Sequence, residues 1–406
     1  MHKEYIFWVV PADLSVGTTF ILGQKNKEVF ATIMGSFFIL IISLFVYQTG
    51  GLFQPHASYD AQFFSINYVE QGGRLELPIN GATGWAASSV ALHSKPEPNT
   101  DVILRLPPGQ GFTVIAEYGQ WWNVELGNTY GTSGWVRHRS CFINLPDVVP
   151  SIVFDITNAN SSLKRSNGYD IPNITGYALY EAWAFNQRLG RYEYIVPVLY
   201  STAKRIFEAQ QSALADGNTI IIYEAFRPRT AQQSVVSNLR RLMDSNASVR
   251  RAINTRPWSL NWFISTGISN HQRGAAIDVG LGRIVSYEIR LSGMFSYTHI
   301  TEIERYIMPT IMHELSPLAA TFTSPVSSSS VDAWRTASPA YSMTEGAILL
   351  QSYLTDAGFT PLASEWWHFN DLNGVRIAND TGITGDFYTE TVYSRIPIFL
   401  RKEGIF

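Results

Sequence analysis

Ser269-Asn270-His271-Gln272-Arg273-Gly274-Ala275-Ala276-Ile277-Asp278 and, further along the chain, Glu365-Trp366-Trp367-His368 are the two strings on which the reading of this sequence turns. The chain has 8 His, and each string pairs one of them with a nearby carboxylate. Two imidazoles and a carboxylate, with a fourth position left open, are the donors from which a catalytic zinc site is built. His271, Asp278 and His368 would be the ligands. Glu365, three residues before a ligand, would stay free as a base, which is the logic of HExxH with its order changed. Gly274 and Ala276 are small where the chain must pack tightly between two ligands. Spacing by itself leaves two readings open, a metal site or His–Asp pairs with a structural role.

Working outward, the chain around these strings mixes helices and strands. Val198–Asp216 carries Leu199, Ala203, Ile206, Phe207 and Leu214 on one helical face and stops at Gly217. Residues 219–226, TIIIYEAF, read as a buried strand, Thr230–Met243 as a helix, and Ile348–Ala357 as a helix ended by Gly358. The order is no regular βαβ alternation, so an α+β domain is expected. The Ser-rich stretch 322–330 reads as a rim loop without chemistry.

The pattern S-x-H-x-x-G-x-A-x-D followed by E-x-W-H resembles the zinc D,D-peptidases of the D-alanyl-D-alanine dipeptidase and carboxypeptidase family, the vancomycin-resistance type. Glu224-Ala225-Phe226-Arg227-Pro228 is similar to that family's Y-R-P turn, with Phe226 in place of Tyr and Gln232 at the expected distance. The resemblance runs from about Val153 to Asn370. It implies that His271, Asp278 and His368 bind Zn2+, that Glu365 is the general base and later the acid, that Arg227 stabilises the oxyanion, and that Ser269 lines the substrate side. The implied substrates are peptidoglycan stem peptides of a bacterial cell wall. The chain departs from strict dipeptidases at Met308-Pro309-Thr310-Ile311-Met312-His313-Glu314-Leu315. There His313 falls about where the family's ammonium-binding Asp would be, which favours a carboxypeptidase over a dipeptidase. An endopeptidase with the same zinc fold and a non-catalytic wall-binding protein are the alternatives, and the intact Glu365 argues against the second.

Ahead of this domain lies a different texture. Short alternating runs, VALHS, VILRL, FTVIAEY, WWNVEL and GWVRH, are separated by Gly/Pro/Asn turns and predict a small all-β barrel. Val90–Ser94, Leu106-Pro107-Pro108-Gly109, Phe112–Ile115, Trp121-Trp122-Asn123-Val124 and Gly134-Trp135-Val136 resemble the bacterial SH3-like domain of cell-wall proteins. Its Trp residues read mainly as core, with a peptide- or wall-binding groove as the functional alternative. As a separate module, its removal is expected to spare the cleavage of small soluble peptides.

Residues 29–47, VFATIMGSFFILIISLFVY, carry no charge. As a helix they span roughly 28 Å, close to the ~30 Å hydrocarbon core of a bilayer. Lys3, Lys25 and Lys27 precede the run, and no Lys or Arg follows until Arg74. The positive-inside rule then puts the N-terminus in the cytoplasm and the rest outside.

The organisation expected is therefore 1–28 cytoplasmic segment, 29–48 transmembrane helix, 49–79 linker, 80–147 SH3-like domain, 148–373 α+β zinc peptidase domain and 374–406 a tail without assigned role. Composition sets limits on the 406-residue chain. Aromatics at 13% exclude a disordered chain. A net charge of −3 gives no basic field for nucleic acid. The single Cys, Cys141, excludes both an intramolecular disulfide and a Cys-cluster metal site, and a buried free thiol is its default.

Overall fold

The computed structural model describes residues 65–127, 131–156, 163–389 and 391–398. The run 29–47 lies outside them. No helix among the described residues is long and apolar enough to cross a membrane.

The elements, in chain order, begin with β1 (Ile66–Asn67), followed by β2 (Thr83–Ala86), β3 (Val90–His93), β4 (Val102–Leu106), β5 (Gly111–Tyr118), β6 (Trp121–Leu126), β7 (Ser133–Arg137) and β8 (Cys141–Asn144). Next come β9 (Val153–Phe154), β10 (Arg165–Ser166), β11 (Tyr169–Asp170), β12 (Trp183–Asn186), β13 (Arg191–Tyr194), β14 (Pro197–Leu199), helix α1 (Tyr200–Ala215), β15 (Asn218–Glu224) and α2 (Arg229–Ser245). The chain continues through α3 (Ala247–Ile253), β16 (Ala276–Ser292), β17 (Phe295–Arg305), α4 (Glu345–Asp356), β18 (Thr360–Leu362), β19 (Glu365–Asn370) and α5 (Leu372–Thr381).

Strands β3 to β7 fall on the alternating runs read from the sequence, and β2 and β8 join them. They form an antiparallel sheet in the order β14-β8-β2-β5-β6-β7-β3-β4. Trp85, Trp121 and Trp122 are buried, as is Cys141, whose thiol burial pushes upward. The sheet does not stop at residue 147. Its terminal strand, β14, leads directly into α1 of the α+β region. One apolar core runs through both regions, with Phe142 of β8 against Phe226 and Phe387 at ring-centroid distances of 5.3 and 6.0 Å.

The segments on either side join this body. Residues 65–79, read as a linker, pack into it: Leu75 and Leu77 are buried, and the Glu76 and Leu77 N–H groups both donate to Val148 O. The tail crosses the all-β sheet. Tyr393 N donates to Thr83 Oγ1, Thr113 Oγ1 donates to Tyr393 O, and Arg395 pairs with Glu125. With core, strand pairing and tail all shared, removal of 80–146 is now expected to unfold the α+β region rather than spare it.

The second sheet carries the candidate site. Its path is β1-β17-β16-β15-β9, with β19 also pairing β16 and β18 pairing β19. Strand β16 is long because it serves two neighbours on one edge, β19 at residues 276–278 and β17 from 282 onward, while β15 occupies the other edge. Helix α1 buries Ala203, Ile206, Phe207 and Ala213 beside this sheet, close to the stripe predicted.

Candidate active site

Register builds the centre of the site. Asp278 of β16 lies directly across from Glu224 of β15 on one side and His368 of β19 on the other. Directly opposed residues share a face, so three polar side chains stand in a row at the middle of the sheet. His271 comes in from the loop that precedes β16. Gly274, in the same loop, has φ +64. A Cβ there would lie 2.5 Å from the Phe142 ring, so the return toward β16 requires glycine.

The hydrogen bonds of the two imidazoles fix their protons. His271 Nδ1 is 2.6 Å from Ala225 O, and a carbonyl only accepts, so Nδ1 carries the proton and Nε2 is bare. For His368, Arg273 donates to Asn270 Oδ1 (2.8 Å), which turns the Asn270 amide nitrogen onto Asn370 Oδ1 (2.8 Å). Asn370 Oδ1 then accepts from His368 Nε2 at 3.0 Å, so in the neutral ring Nδ1 is bare. Against the effect of burial, the Asp278 carboxylate beside Nδ1 raises the His368 pKa, so without an ion that nitrogen draws a proton. The two bare nitrogens face each other at 3.1 Å, and Asp278 Oδ1 is 3.2 and 3.0 Å from them. Two lone pairs and an anionic oxygen that close together need a cation or a proton among them. A tetrahedral zinc with ~2.0–2.1 Å bonds has ligand–ligand edges of about 3.3 Å, so the donor set fits that ion. All three residues are buried.

Outer partners hold the Asp278 carboxylate. His313 Nε2 donates to its Oδ2 at 2.9 Å, and Arg227 approaches the same oxygen at 3.3 Å. Burial would raise Asp278, but His271, His313 and His368 together hold it well below the usual carboxylate range. Burial pushes His313 down to about 4, and Lys164 adds to the effect, so its imidazole is neutral. His313 has φ +63, unusual for a residue with a side chain. The adjacent Glu314 turns away and accepts from the Asn167 and Gly168 N–H groups and from Ser316.

Glu224, Asp278 and His313 form a second trio of potential metal donors. Cations already fill it: Lys164 Nζ lies 2.8 Å from Glu224 Oε2, and Arg227 forks onto both Glu224 oxygens. Burial would raise Glu224, but Arg227 and Lys164 pull it far below its ordinary range. Arg227 also donates to Gln232 Oε1 at 2.7 Å. Four of its five N–H groups are thus engaged among the described residues, and one at Nη1 remains for a ligand.

Glu365, at the start of β19, places Oε2 3.8 Å from His368 Nδ1. Burial pushes its carboxyl up to about 8, against the pull of His368. Arg227, Ser269, His271, Asp278, Glu365 and His368 all line one cavity of about 600 Å³, within the size range of small-molecule sites. Ser269 is held there by Gln272, whose Oε1 accepts from the Ser269 N–H at 3.0 Å. His313, Lys164 and Ser328 of the Ser-rich stretch also reach this cavity.

The structure therefore brings together all six residues singled out from the sequence. Sequence reasoning missed the parts that orient them: Glu224 and Lys164 behind Arg227, the Asn270–Asn370 relay, and the Ala225 carbonyl. Asn270 and Asn370 lie next to a motif His or two residues from one, and that adjacency was a usable signal. Lys164 gave none. No protein-family model matches the chain, and a search of the curated proteins finds no match.

Proposed function

We propose that this chain is a membrane-anchored, zinc-dependent D,D-peptidase that acts on the D-Ala-D-Ala end of peptidoglycan stem peptides. The observation that carries the reading is the convergence of two bare imidazole nitrogens and Asp278 Oδ1 within 3.2 Å of one another, at the wall of a cavity that Glu365 and Arg227 also line. His271, Asp278 and His368 would hold the ion. The chemistry that bound zinc supplies is Lewis acidity and a lowered pKa for water.

The chain's own groups supply the rest. Glu365 Oε2 is the proton carrier: it accepts a proton from the attacking water and returns it to the leaving amine. Burial favours its protonated form, and a dication beside it pulls it back toward the ionised form that a base needs. The remaining Nη1 N–H of Arg227 is the donor for the developing oxyanion. Its guanidinium is held by Glu224 and Gln232, so little reorganisation accompanies the reaction. His313 and Arg227 orient Asp278 from behind, as outer partners of metal ligands commonly do.

Carboxypeptidase action is favoured over strict dipeptidase action. In the loop 308–315, the residues that line the cavity are neutral His313 and apolar Leu315, and the one carboxylate, Glu314, is spent on backbone N–H groups. A free dipeptide ammonium finds no counter-ion from this loop. The anchor is residues 29–47, with the catalytic part outside the cytoplasm. The test is to incubate the zinc-loaded protein with a stem pentapeptide ending in D-Ala-D-Ala and with free D-Ala-D-Ala, and to weigh the products. Release of the terminal D-Ala from the pentapeptide is expected. Absence of any D-Ala from either substrate would overturn the reading.

A further inference from the structure

The part of β16 beyond β15 forms, with β17, a ribbon in which the alternation of β16 is inverted. Tyr287, Ile289 and Leu291 share a face with Ile300, Thr298 and Ser296 of β17. Together with Val285, which stands at the register irregularity before them, they are the alternate apolar positions Val285, Tyr287, Ile289 and Leu291 of the sequence 284–292, IVSYEIRLS. These side chains are 56, 62, 61 and 50 % exposed. The opposite face, which bears Glu288, Arg290 and Ser292 of β16 with Phe295, Tyr297 and His299 of β17, turns toward the body near the tip. Ser292 Oγ donates to Arg188 O, His299 meets Arg191, and Phe295 and Tyr297 pack with Leu77 and Leu189. A half-buried ribbon ordinarily points its apolar residues inward. Here an apolar stripe points outward, and Met294 at the tip continues it.

Both ends of the described chain converge on that tip. The chain enters at Ile66, whose N–H donates to Met294 O and which pairs with Phe295. Toward the other end, Ile396 lies against Gly293, and Ile396 and Ile398 are exposed. The sequence beyond Ile398 opens with Phe399, Leu400, Arg401 and Lys402, apolar then basic. Before the tip, residues 48–64 separate it from the apolar run 29–47, and a fully extended chain of that length reaches at most about 60 Å. A bilayer that holds 29–47 is therefore within tether range of the stripe, and tethering makes a weak apolar contact effective.

We propose that the outer face of the β16–β17 ribbon, with Met294, Ile396 and Ile398, rests on the surface of the bilayer that residues 29–47 enter. The inference rests on the anchor in the proposed function and is independent of the reaction. Docking through the ribbon fixes how the catalytic part stands over the membrane.

The experiment uses the full-length protein in vesicles of phosphatidylcholine and phosphatidylglycerol carrying nitroxide-labelled lipid. An environment-sensitive fluorophore is placed at Ile289→Cys or, separately, Leu291→Cys. Both side chains are exposed, so the fold is kept, and native Cys141 is buried from the label. Ile348→Cys, an exposed position of α4, is the surface control, and Phe37→Cys reports the anchor. Labels at 289 and 291 should lose fluorescence to the lipid quencher, and the label at 348 should not. Quenching at 37 without quenching at 289 and 291 overturns the proposal while the anchor stands. No quenching at 37 removes the anchor and the proposal with it. Shielding at 289 by energy transfer between copies would assign the face to a second copy, and shielding without lipid or transfer would assign it to residues 49–64. Either result overturns the lipid contact.

Discussion

Gly274→Ala probes the junction at which the all-β sheet supports the loop that carries His271. Gly274 lies three residues after His271, donates its N–H to His271 O, and accepts from Leu199 N of β14. Two costs follow from its geometry. At φ +64 a side chain costs about 1–2 kcal/mol relative to glycine. The new Cβ would overlap Phe142, a fully buried ring packed on Phe226 and Phe387, and overpacking of this kind costs about 1–3 kcal/mol. The sum, about 2–5 kcal/mol, is a large share of the 5–15 kcal/mol that holds a typical domain together. Urea unfolding followed by tryptophan fluorescence measures it. Phe142→Leu in the same chain removes the overlap but not the backbone cost, so the double variant should show a favourable coupling of about 1–3 kcal/mol. A loss under about 1 kcal/mol for Gly274→Ala, or strict additivity with Phe142→Leu, would refute the claim that β8 buttresses the loop.

Two further outcomes are expected elsewhere. Asn370→Leu removes the acceptor that fixes the His368 proton on Nε2 and should weaken zinc binding about 10–100-fold; competition against a chelating zinc indicator measures it, and unchanged affinity would rule out the relay through Asn270. Glu76 is raised by burial from 4.5 to about 7. The folded state therefore favours its protonated form, and the stability this contributes is complete below pH 4.5 and lost as pH rises to about 7, roughly 3 kcal/mol in all. Glu76→Gln cannot ionise, so its melting temperature should lack that decline; a parallel pH profile in both proteins would contradict it.

The six site residues were legible because each lies in a short string whose spacing reflects local geometry. His271 and Asp278 bracket one loop, and Glu365 and His368 share one strand. Helix α1 was legible for a similar reason, since its apolar face repeats within a single element. What was not legible depends on distant partners. Lys164 meets Glu224 across 60 positions, and the acceptor for His271 is a backbone carbonyl, which no side-chain pattern announces. The shared sheet was hidden because β14 is only three residues long and pairs with β8 across the boundary that composition suggested. The β16–β17 ribbon carries a period-two pattern, but pattern alone gives two faces without saying which one turns outward.

The assignment of Glu365 as base and of Asp278 as ligand is tested most directly by metal content and turnover measured on the same preparations of two variants. Glu365→Gln keeps the side chain's size and removes the proton acceptor. It should hold about one zinc per chain while its rate on a D-Ala-D-Ala stem peptide falls at least ~10²–10⁴-fold. Asp278→Asn should lose zinc and rate together, because it removes the anionic donor that faces both imidazoles. Zinc lost from Glu365→Gln, with zinc and turnover retained by Asp278→Asn, would contradict the account at its centre.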